Sequence, residues 1–477
     1  MPASRERILF VTGRLAADLV ERVVREVAAG CGFEFEVRVV GISVAALMHG
    51  NWLRRKLTID GPFDRVLLPG WFQGDLAELH REYGVRFELG PKDILDLPQH
   101  FGLQGQRTAD LSRFDIELFA EINHAPRLSD AVLLQTAKHY RASGADVIDV
   151  GCVPGERWND VGAAVARLRE EGFRVSIDSF DREEVEDAVA AGAELVLSVN
   201  SSNLAWAKDL PAEWIVIPDD PRLPDVLDGL MAELQAAGRA ARVDPILEPV
   251  GFGFATSLGR YYDVRRRRPD WPMLMGIGNV TELSEVDSAG LNFLLAAICQ
   301  ELRIGSILTT EVANFARSSV REFDLARRLV KDALDNRRLV KNIDSPLLTL
   351  RDPRLRTQGP EALAALARQL TDPNFRVFVE QGQIHVMNRD GYWRGDDAFE
   401  LFDRFSAKTS LDAGHAFYLG FELAKATAAL RLGKQYAQDQ PLRWGFLSWP
   451  EPSAHERRRQ QSSAGPPEGT SEDAAAD

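Results

Sequence analysis

Between residues 117 and 311 short apolar runs recur, each ending in a polar residue and each followed by a helix-like segment. The polar ends are Asn123 (ELFAEIN), Asp149 (ADVIDVG), Asp178 (RVSIDSF), Asn200 (LVLSVN), Asp219 (WIVIPDD), Asp244 (ARVDP), Asn279 (MLMGIGN) and Glu311 (SILTTE), at steps of 19 to 35 residues. In the intervening segments apolar residues fall at three- and four-residue spacing, as at Val161, Ala164, Val165 and Leu168. Near-continuous apolar strands alternating with amphipathic helices predict βα units in a parallel sheet. Eight such units close a (β/α)8 TIM barrel, whose chemistry sits at the C-terminal strand ends. The eight polar residues are therefore expected to ring one mouth. Gly172, Gly192 and Gly238 stand where a helix must end just before a strand, the left-handed position that glycine takes without a Cβ clash.

The flanks follow other patterns. Residues 1–112 contain the strand-like runs RILFVTG, FEFEVRVVGIS and DRVLLPGW with amphipathic segments between them, which predicts an N-terminal small parallel-sheet α/β domain. Its loops VTGR and PGWFQGD lie at strand ends, where such sheets bind ligands, but no G-x-G-x-x-G or P-loop accompanies them. A structural or substrate-capping role is the expectation. The barrel is assigned to 113–342. In 343–449, FRVFVE and QIHVMN read as antiparallel strands joined at Gln381-Gly382, followed by a long helix through HAFYLGFELAKATAALRLGKQY, a C-terminal α+β domain. Residues 450–477 are nearly free of apolar side chains, cannot offset their ordering entropy, and are expected to be a disordered tail.

Composition narrows the function. The 477 residues, 45 % hydrophobic and 27 % charged, are ample for several folded domains. With 57 basic against 71 acidic residues the net charge is −14, which argues against a nucleic-acid partner because phosphate neutralisation needs basic surface. Cys31, Cys152 and Cys299 lack metal-type spacing and fit a reducing compartment. The stretch MPASRERILFV has no long apolar run before a small-residue cleavage site, and no apolar run reaches membrane-spanning length. The expectation is a soluble cytoplasmic protein with no membrane partner.

Asp149, Asp178 and Asp244 end three different strands and should converge on the mouth. Carboxylates and carboxamides there suit a ligand that presents several N–H donors in a plane, such as a pterin or another amino-heterocycle. A Mg²⁺ ion held by the three acids with Asn123 is the competing reading, and capping of the following helices is the plain one. Arg127 is a candidate phosphate ligand because a guanidinium matches phosphate geometry. The GFGF loop at 251–254 could bring backbone N–H groups to a phosphate. Cys152 is expected to be inert, His385 and His415 to pack or cap, and Arg265 to Arg268 to form a solvated face.

The wording around the acids is more specific. GADVIDVG, then VSIDSF, then EEVEDAVAAGAELVLSVNS resemble the pterin-binding barrel family of dihydropteroate synthases and pterin-dependent methyltransferases. The resemblance implies that Asp178 and Asp244 hold the pterin and act in catalysis. It implies that Asn123 in INHAP helps hold Mg²⁺ and a pyrophosphate and, from the methyltransferase members, that Asn279 contacts the pterin; Arg127 and the ring residues Asp149, Asn200 and Glu311 are the further substrate-site candidates. The synthase N-x-T-P-D-S-F loop is here NHAPRLS, the S-R-K of the seventh strand is absent, and LTTE replaces R-V-H-D. GIGNVTEL before GLNFLLAAICQEL and the segment DPILEPVG lean towards the methyltransferases. The chain resembles most the dihydropteroate synthase-like proteins of archaea and methylotrophs associated with tetrahydromethanopterin, which share the H-A-x-Y-L-G-x-E-L-x-K-A helix (His415 to Ala426) and the Q-D-x-P-L turn (Gln438 to Leu442). What this implies is a transferase of one-carbon metabolism that joins dihydropterin-methyl pyrophosphate to an arylamine, ribofuranosylaminobenzene phosphate; a homodimer is one assembly open to it. Methyl transfer from a methylpterin to a corrinoid protein, and pterin binding without catalysis, are the alternatives.

Overall fold

The computed structural model describes residues 5–451 except 104–108, 338, 342, 344 and 354. The tail expected to be disordered lies, from residue 452 onward, outside the described residues. Among the described residues two compact units emerge, one up to residue 109 with those between 338 and 344, and one of 110–337 with those from 345 to 451.

The first unit alternates β1 (Arg7–Thr12), α1 (Ala17–Cys31), β2 (Glu34–Val39), α2 (Gly50–Lys56), β3 (Arg65–Leu68), α3 (Leu76–Tyr83), β4 (Arg86–Leu89) and the short α4 (Leu97–His100). Its strands form a parallel sheet in the order β2-β1-β3-β4. Both faces carry apolar clusters, one around Val24 and Phe10 and the other around Leu53 and Leu79. That double cover explains why β1 and β3 read as unbroken apolar runs.

The second unit opens with the barrel: β5 (Glu117–Ile122), α5 (Asp130–Ser143), β6 (Val147–Gly151), α6 (Val161–Glu170), β7 (Val175–Asp178), α7 (Arg182–Ala190), β8 (Leu195–Val199), α8 (Leu204–Ala207), β9 (Glu213–Val216), α9 (Val226–Ala236), β10 (Ala241–Val243), α10 (Phe254–Arg267), β11 (Leu274–Gly276), α11 (Gly278–Thr281), α12 (Ser288–Leu302), β12 (Ser306–Thr309) and α13 (Ser319–Asp335). The eight strands run β10-β9-β8-β7-β6-β5-β12-β11, and a parallel bridge from Val243 to Met273 joins the two ends of the order. Gly172, Gly192 and Gly238 have φ of 77°, 105° and 70°, the left-handed geometry their positions in the chain required.

The lumen has three levels. Glu117, Arg174, Arg242, Glu213 and Glu194 lace the N-terminal end with ion pairs, Arg242 reaching across to Glu117 at 2.5 Å and to Glu213 at 2.7 Å. Above them lies an apolar layer of Phe119, Val147, Leu195, Leu197, Ile215 and Leu274. The C-terminal strand ends form the third level. A much larger cluster, from Ile116 to Val330, packs the outer faces of the strands against the helices.

Downstream, α14 (Pro360–Gln369), β13 (Arg376–Glu380), β14 (Gln383–Asn388), β15 (Gly391–Gly395), α15 (Ala398–Ser406) and α16 (Ala413–Leu432) build an α+β subunit of the fold around Val386, Trp393, Phe405 and Leu423. Gln381 and Gly382 have φ of 50° and 76°, so the two-residue hairpin turn lies where the sequence placed it. β15 extends this antiparallel sheet to three strands. One expectation is corrected: Arg265 is not on a solvated face. It is buried, and its guanidinium donates to the carbonyls of Leu302, Trp271, Pro269 and Arg303 at 2.7–2.9 Å, closing open peptide groups that would otherwise be left unpaired. Arg267 and Arg268 do stay at the surface, paired with Asp225 and Asp228.

Candidate functional site at the barrel mouth

In β5 the side chains of Phe119, Glu121 and Asn123 follow the period-two alternation of a strand, so they share the inward face. The ladder sets Glu121 opposite Asp149 on β6 and Gly151 opposite Asp178 on β7. One carboxylate oxygen from each of Glu121, Asp149 and Asp178 lies within 4.8 Å of the others. Asp149 is fully buried; Ser176 Oγ donates to its Oδ1 at 2.5 Å, while Oδ2 is buried without a partner. Burial first, and then the charges of Asp178 and Glu121, hold the Asp149 carboxyl well above the ordinary carboxylate range. Burial and the neighbouring Asp178 push Glu121 up to about 7, and burial pushes Asp178 up to about 6.

Sequence reading missed Glu121. The eight polar ends are the last residues of their apolar runs, and Glu121 stands two residues before Asn123 on the same face. The period-two pattern of ELFAEIN is the signal that could have found it. Asn123 Nδ2 donates to Glu121 at 3.0 Å, and Asn123 Oδ1 accepts from the Thr310 hydroxyl.

Asp244 follows the short β10 and is not part of the three-acid group. Its Oδ1 accepts from the buried Tyr261 hydroxyl and from Ile246 N at 2.7 Å, and burial pushes its carboxyl up to about 6. Arg260 braces the same loop through Ile246 O at 2.8 Å and Glu248 at 2.9 Å. Asn279 opens α11 and donates to Leu247 O at 2.8 Å, which ties the loop after β11 to the loop after β10 and leaves its amide oxygen uncommitted by that bond. Asn200 closes its own turn by accepting from Ser202 N at 2.9 Å, and Asp219 accepts from Ser201 N at 3.0 Å. Glu311 turns to the helical layer, accepting from Val320 N at 3.0 Å and meeting His139 Nε2 at 3.1 Å. Arg127 is exposed and paired with Glu156 at 2.9 Å. The structure thus gathers Asn123, Asp149 and Asp178 around Glu121, sets Asp244 and Asn279 on adjoining loops, and leaves Glu311 and Arg127 engaged elsewhere.

Of the remaining candidates, Cys152 is half-buried and its thiol is pushed up by burial and by Glu184, the opposite of an activated nucleophile. His385 is buried against the Tyr392 hydroxyl at 2.8 Å, and His415 sits in the first turn of α16, where its backbone N–H and ring both meet the capping Asp412. No helix among the described residues is long and apolar enough to cross a membrane.

Comparison with known proteins places this mouth in context. Residues 122–226 match the family described as "Pterin binding enzyme", residues 6–92 a family of unknown function (DUF6513), and residues 368–439 the family PterinBD-DUF4346. An uncharacterised protein of Methanocaldococcus jannaschii is 27 % identical, the alignment covering 91 % of this chain and 98 % of the relative. Among solved structures, a Yersinia pestis DHPS with a pterine-sulfa conjugate is 20 % identical over 49 % of this chain and 100 % of its own, with a TM-score of 0.36. Dihydropteroate synthase from Thermus thermophilus in complex with 6HMPPP is likewise 20 % identical, over 47 % and 99 %, with a TM-score of 0.35. The matched segment covers β6 and β7, which carry Asp149 and Asp178, together with Asn123, so this half of the barrel resembles the pterin-binding enzymes.

Proposed function

We propose that the protein condenses dihydropterin-methyl pyrophosphate with an arylamine, ribofuranosylaminobenzene phosphate, in the biosynthesis of tetrahydromethanopterin. The observation that carries this reading is a pair of acids at the barrel mouth, the half-buried Asp178 ending β7 and the buried Asp244 just after β10, in a barrel whose residues 122–226 match pterin-binding enzymes. With carboxyls near 6 both are mainly ionised at neutral pH, so each can accept hydrogen bonds from the N–H edge of a pterin. In the reaction the arylamine nitrogen attacks the exocyclic CH₂, the C–O bond to pyrophosphate breaks, and the nitrogen releases its proton. Positive character on the pterin as pyrophosphate leaves is stabilised by the same two carboxylates, already in place.

Asn123 fits a role in holding Mg²⁺. Its amide oxygen is the hard donor this ion selects, and beyond the Thr310 hydroxyl it retains a second lone pair. Bound there, Mg²⁺ would supply charge neutralisation to the leaving pyrophosphate. Arg127 would join by exchanging its surface partner Glu156 for a phosphate. Asp149, Asn200, Asn279 and Glu311 would bind or shape the substrate pocket, the last two through the loops they brace.

The test is pyrophosphate release from dihydropterin-methyl pyrophosphate and Mg²⁺ with either p-aminobenzoate or the ribosyl arylamine. Release with the ribosyl acceptor is expected. Asp178→Asn and Asp244→Asn should each weaken pterin binding by about 10- to 100-fold, the loss of a charge-assisted bond worth ~1.5–3 kcal/mol. Unchanged affinity in both variants would overturn the pocket assignment, and methyl transfer to cob(I)alamin without pyrophosphate release would replace the reaction.

A further inference from the structure

Three acids are drawn together at the mouth without a counter-charge. Among the described residues the ion pairs of this end go elsewhere: Arg127 to Glu156, His139 to Glu311 and Arg260 to Glu248. Glu121, Asp149 and Asp178 are nonetheless held close by neighbouring strands of one ladder. Two further observations indicate that something is meant to be bound between them. Asp149 Oδ2 is fully buried and has no hydrogen-bond partner, although Ser176 fixes the other oxygen of the same group. Gly151 lets the Glu121 carboxylate in: a Cβ there would stand 2.7 Å from Glu121 Oε1. Buried carboxylates are stable when paired or when they coordinate a metal, and an orphaned oxygen costs about 1–3 kcal/mol or more.

We infer that Glu121, Asp149 and Asp178 form a site for one divalent cation of the hard, oxygen-seeking class. The donor set is all carboxylate oxygen, with no imidazole or thiolate, which selects Mg²⁺, Mn²⁺ or Ca²⁺ over zinc. Opposed oxygens stand about 4.2 Å apart around Mg²⁺ or Mn²⁺ and about 4.8 Å around Ca²⁺. The three oxygens, all within 4.8 Å of one another, match that span and leave further coordination positions for water. This site is distinct from an ion at Asn123 that arrives with pyrophosphate, because it needs no phosphate ligand. It also does not require that the ligand of the mouth be a pterin. Its consequence for the mouth is positional: a cation would fix the Asp178 carboxylate and offset the repulsion among the three.

The test uses the full chain, stripped with chelator and titrated with Mn²⁺ alone, free Mn²⁺ being followed by electron paramagnetic resonance with no pterin or phosphate present. One saturable site per chain is expected. Glu121→Gln and Asp178→Asn, each checked for wild-type circular dichroism, should weaken it by at least about tenfold, the scale set even by outer-sphere partners of metals. A control at Asp220, a half-buried acid already paired with Arg222, Asp220→Asn, should leave it unchanged. No saturable site, or wild-type binding in both folded variants, would overturn the inference. A chain that binds Mn²⁺ in this way but takes up no pterin keeps the cation site and removes the pterin reading; pterin uptake without a cation site does the reverse.

Discussion

Replacing Asp244 by asparagine should make the protein more stable at alkaline pH while weakening its pterin binding. Asp244 is buried, and its carboxyl is pushed up to about 6 from an ordinary 3.8. A folded-state pKa above the unfolded one means that the folded chain holds this proton more tightly. Stability is therefore lost as pH rises from about 4 through about 6, and it is constant beyond. At 1.36 kcal/mol per pH unit, that displacement of the carboxyl corresponds to a penalty of about 3 kcal/mol at pH 8 and about 1 kcal/mol at pH 4.5. Asparagine removes that penalty and keeps an oxygen for the Tyr261 hydroxyl and Ile246 N–H, the two bonds to Oδ1. The amide nitrogen that replaces the second oxygen no longer accepts from the Gly276 N–H, costing about 1 kcal/mol at either pH. The net expectation is a gain of about 2 kcal/mol at pH 8 and near zero at pH 4.5. For a barrel of this size that gain corresponds to about 4–8 °C in Tm. Calorimetry of wild type and variant at the two pH values reads it directly. A variant less stable than wild type at pH 8, or shifted equally at both, would refute the account of Asp244 as a carboxylate kept ionised against its surroundings.

Two other substitutions probe the scaffold that aims these groups. Tyr261→Phe removes the buried hydroxyl that donates to Asp244 and should destabilise the protein by about 1.5–3 kcal/mol at pH 8, measured by denaturant titration; a cost that persists unchanged in the Asp244→Asn background would show the two are not coupled. Gly144 ends α5 at φ 109°, and a Cβ there would stand 2.7 Å from Asp324 Cβ, the residue that holds the buried Arg327. Gly144→Ala should therefore cost about 2 kcal/mol or more, with a Tm drop of several degrees, and a wild-type Tm would refute the close approach.

Much of this was legible along the chain because the barrel obeys simple periodicities. Asn123, Asp149 and Asp178 announced themselves as polar breaks in apolar runs, and the glycines at 172, 192 and 238 marked the returns. What escaped reading did so for physical reasons. Glu121 lies inside a strand, where an acid ordinarily argues for a solvent-facing position, and only closure of the sheet turns that face into a lumen. Glu311 ends a strand like the others, yet it faces the helical layer, because the N–H of Val320 at the start of α13 and the ring of His139 draw it outward. Arg265 reads as one more charge in a basic run; its burial depends on open carbonyls at the ends of α10 and α12, which no local pattern reveals. The strand β15, bounded by Gly391 and Gly395, resembles a loop until β14 offers it a ladder.

The layered lumen has a consequence of its own. Phe119, Val147, Leu195, Leu197, Ile215 and Leu274 form an insulating disc between two polar ends, one neutralised by Arg174 and Arg242 and the other carrying unmatched acids. The tube is therefore blind: cations and N–H-rich molecules can enter only from the side of the strand C-termini. Across so dry a partition, the lower end can keep the barrel shut while the upper end is rebuilt. Loops after the strands can then diverge without loosening the staves that hold them.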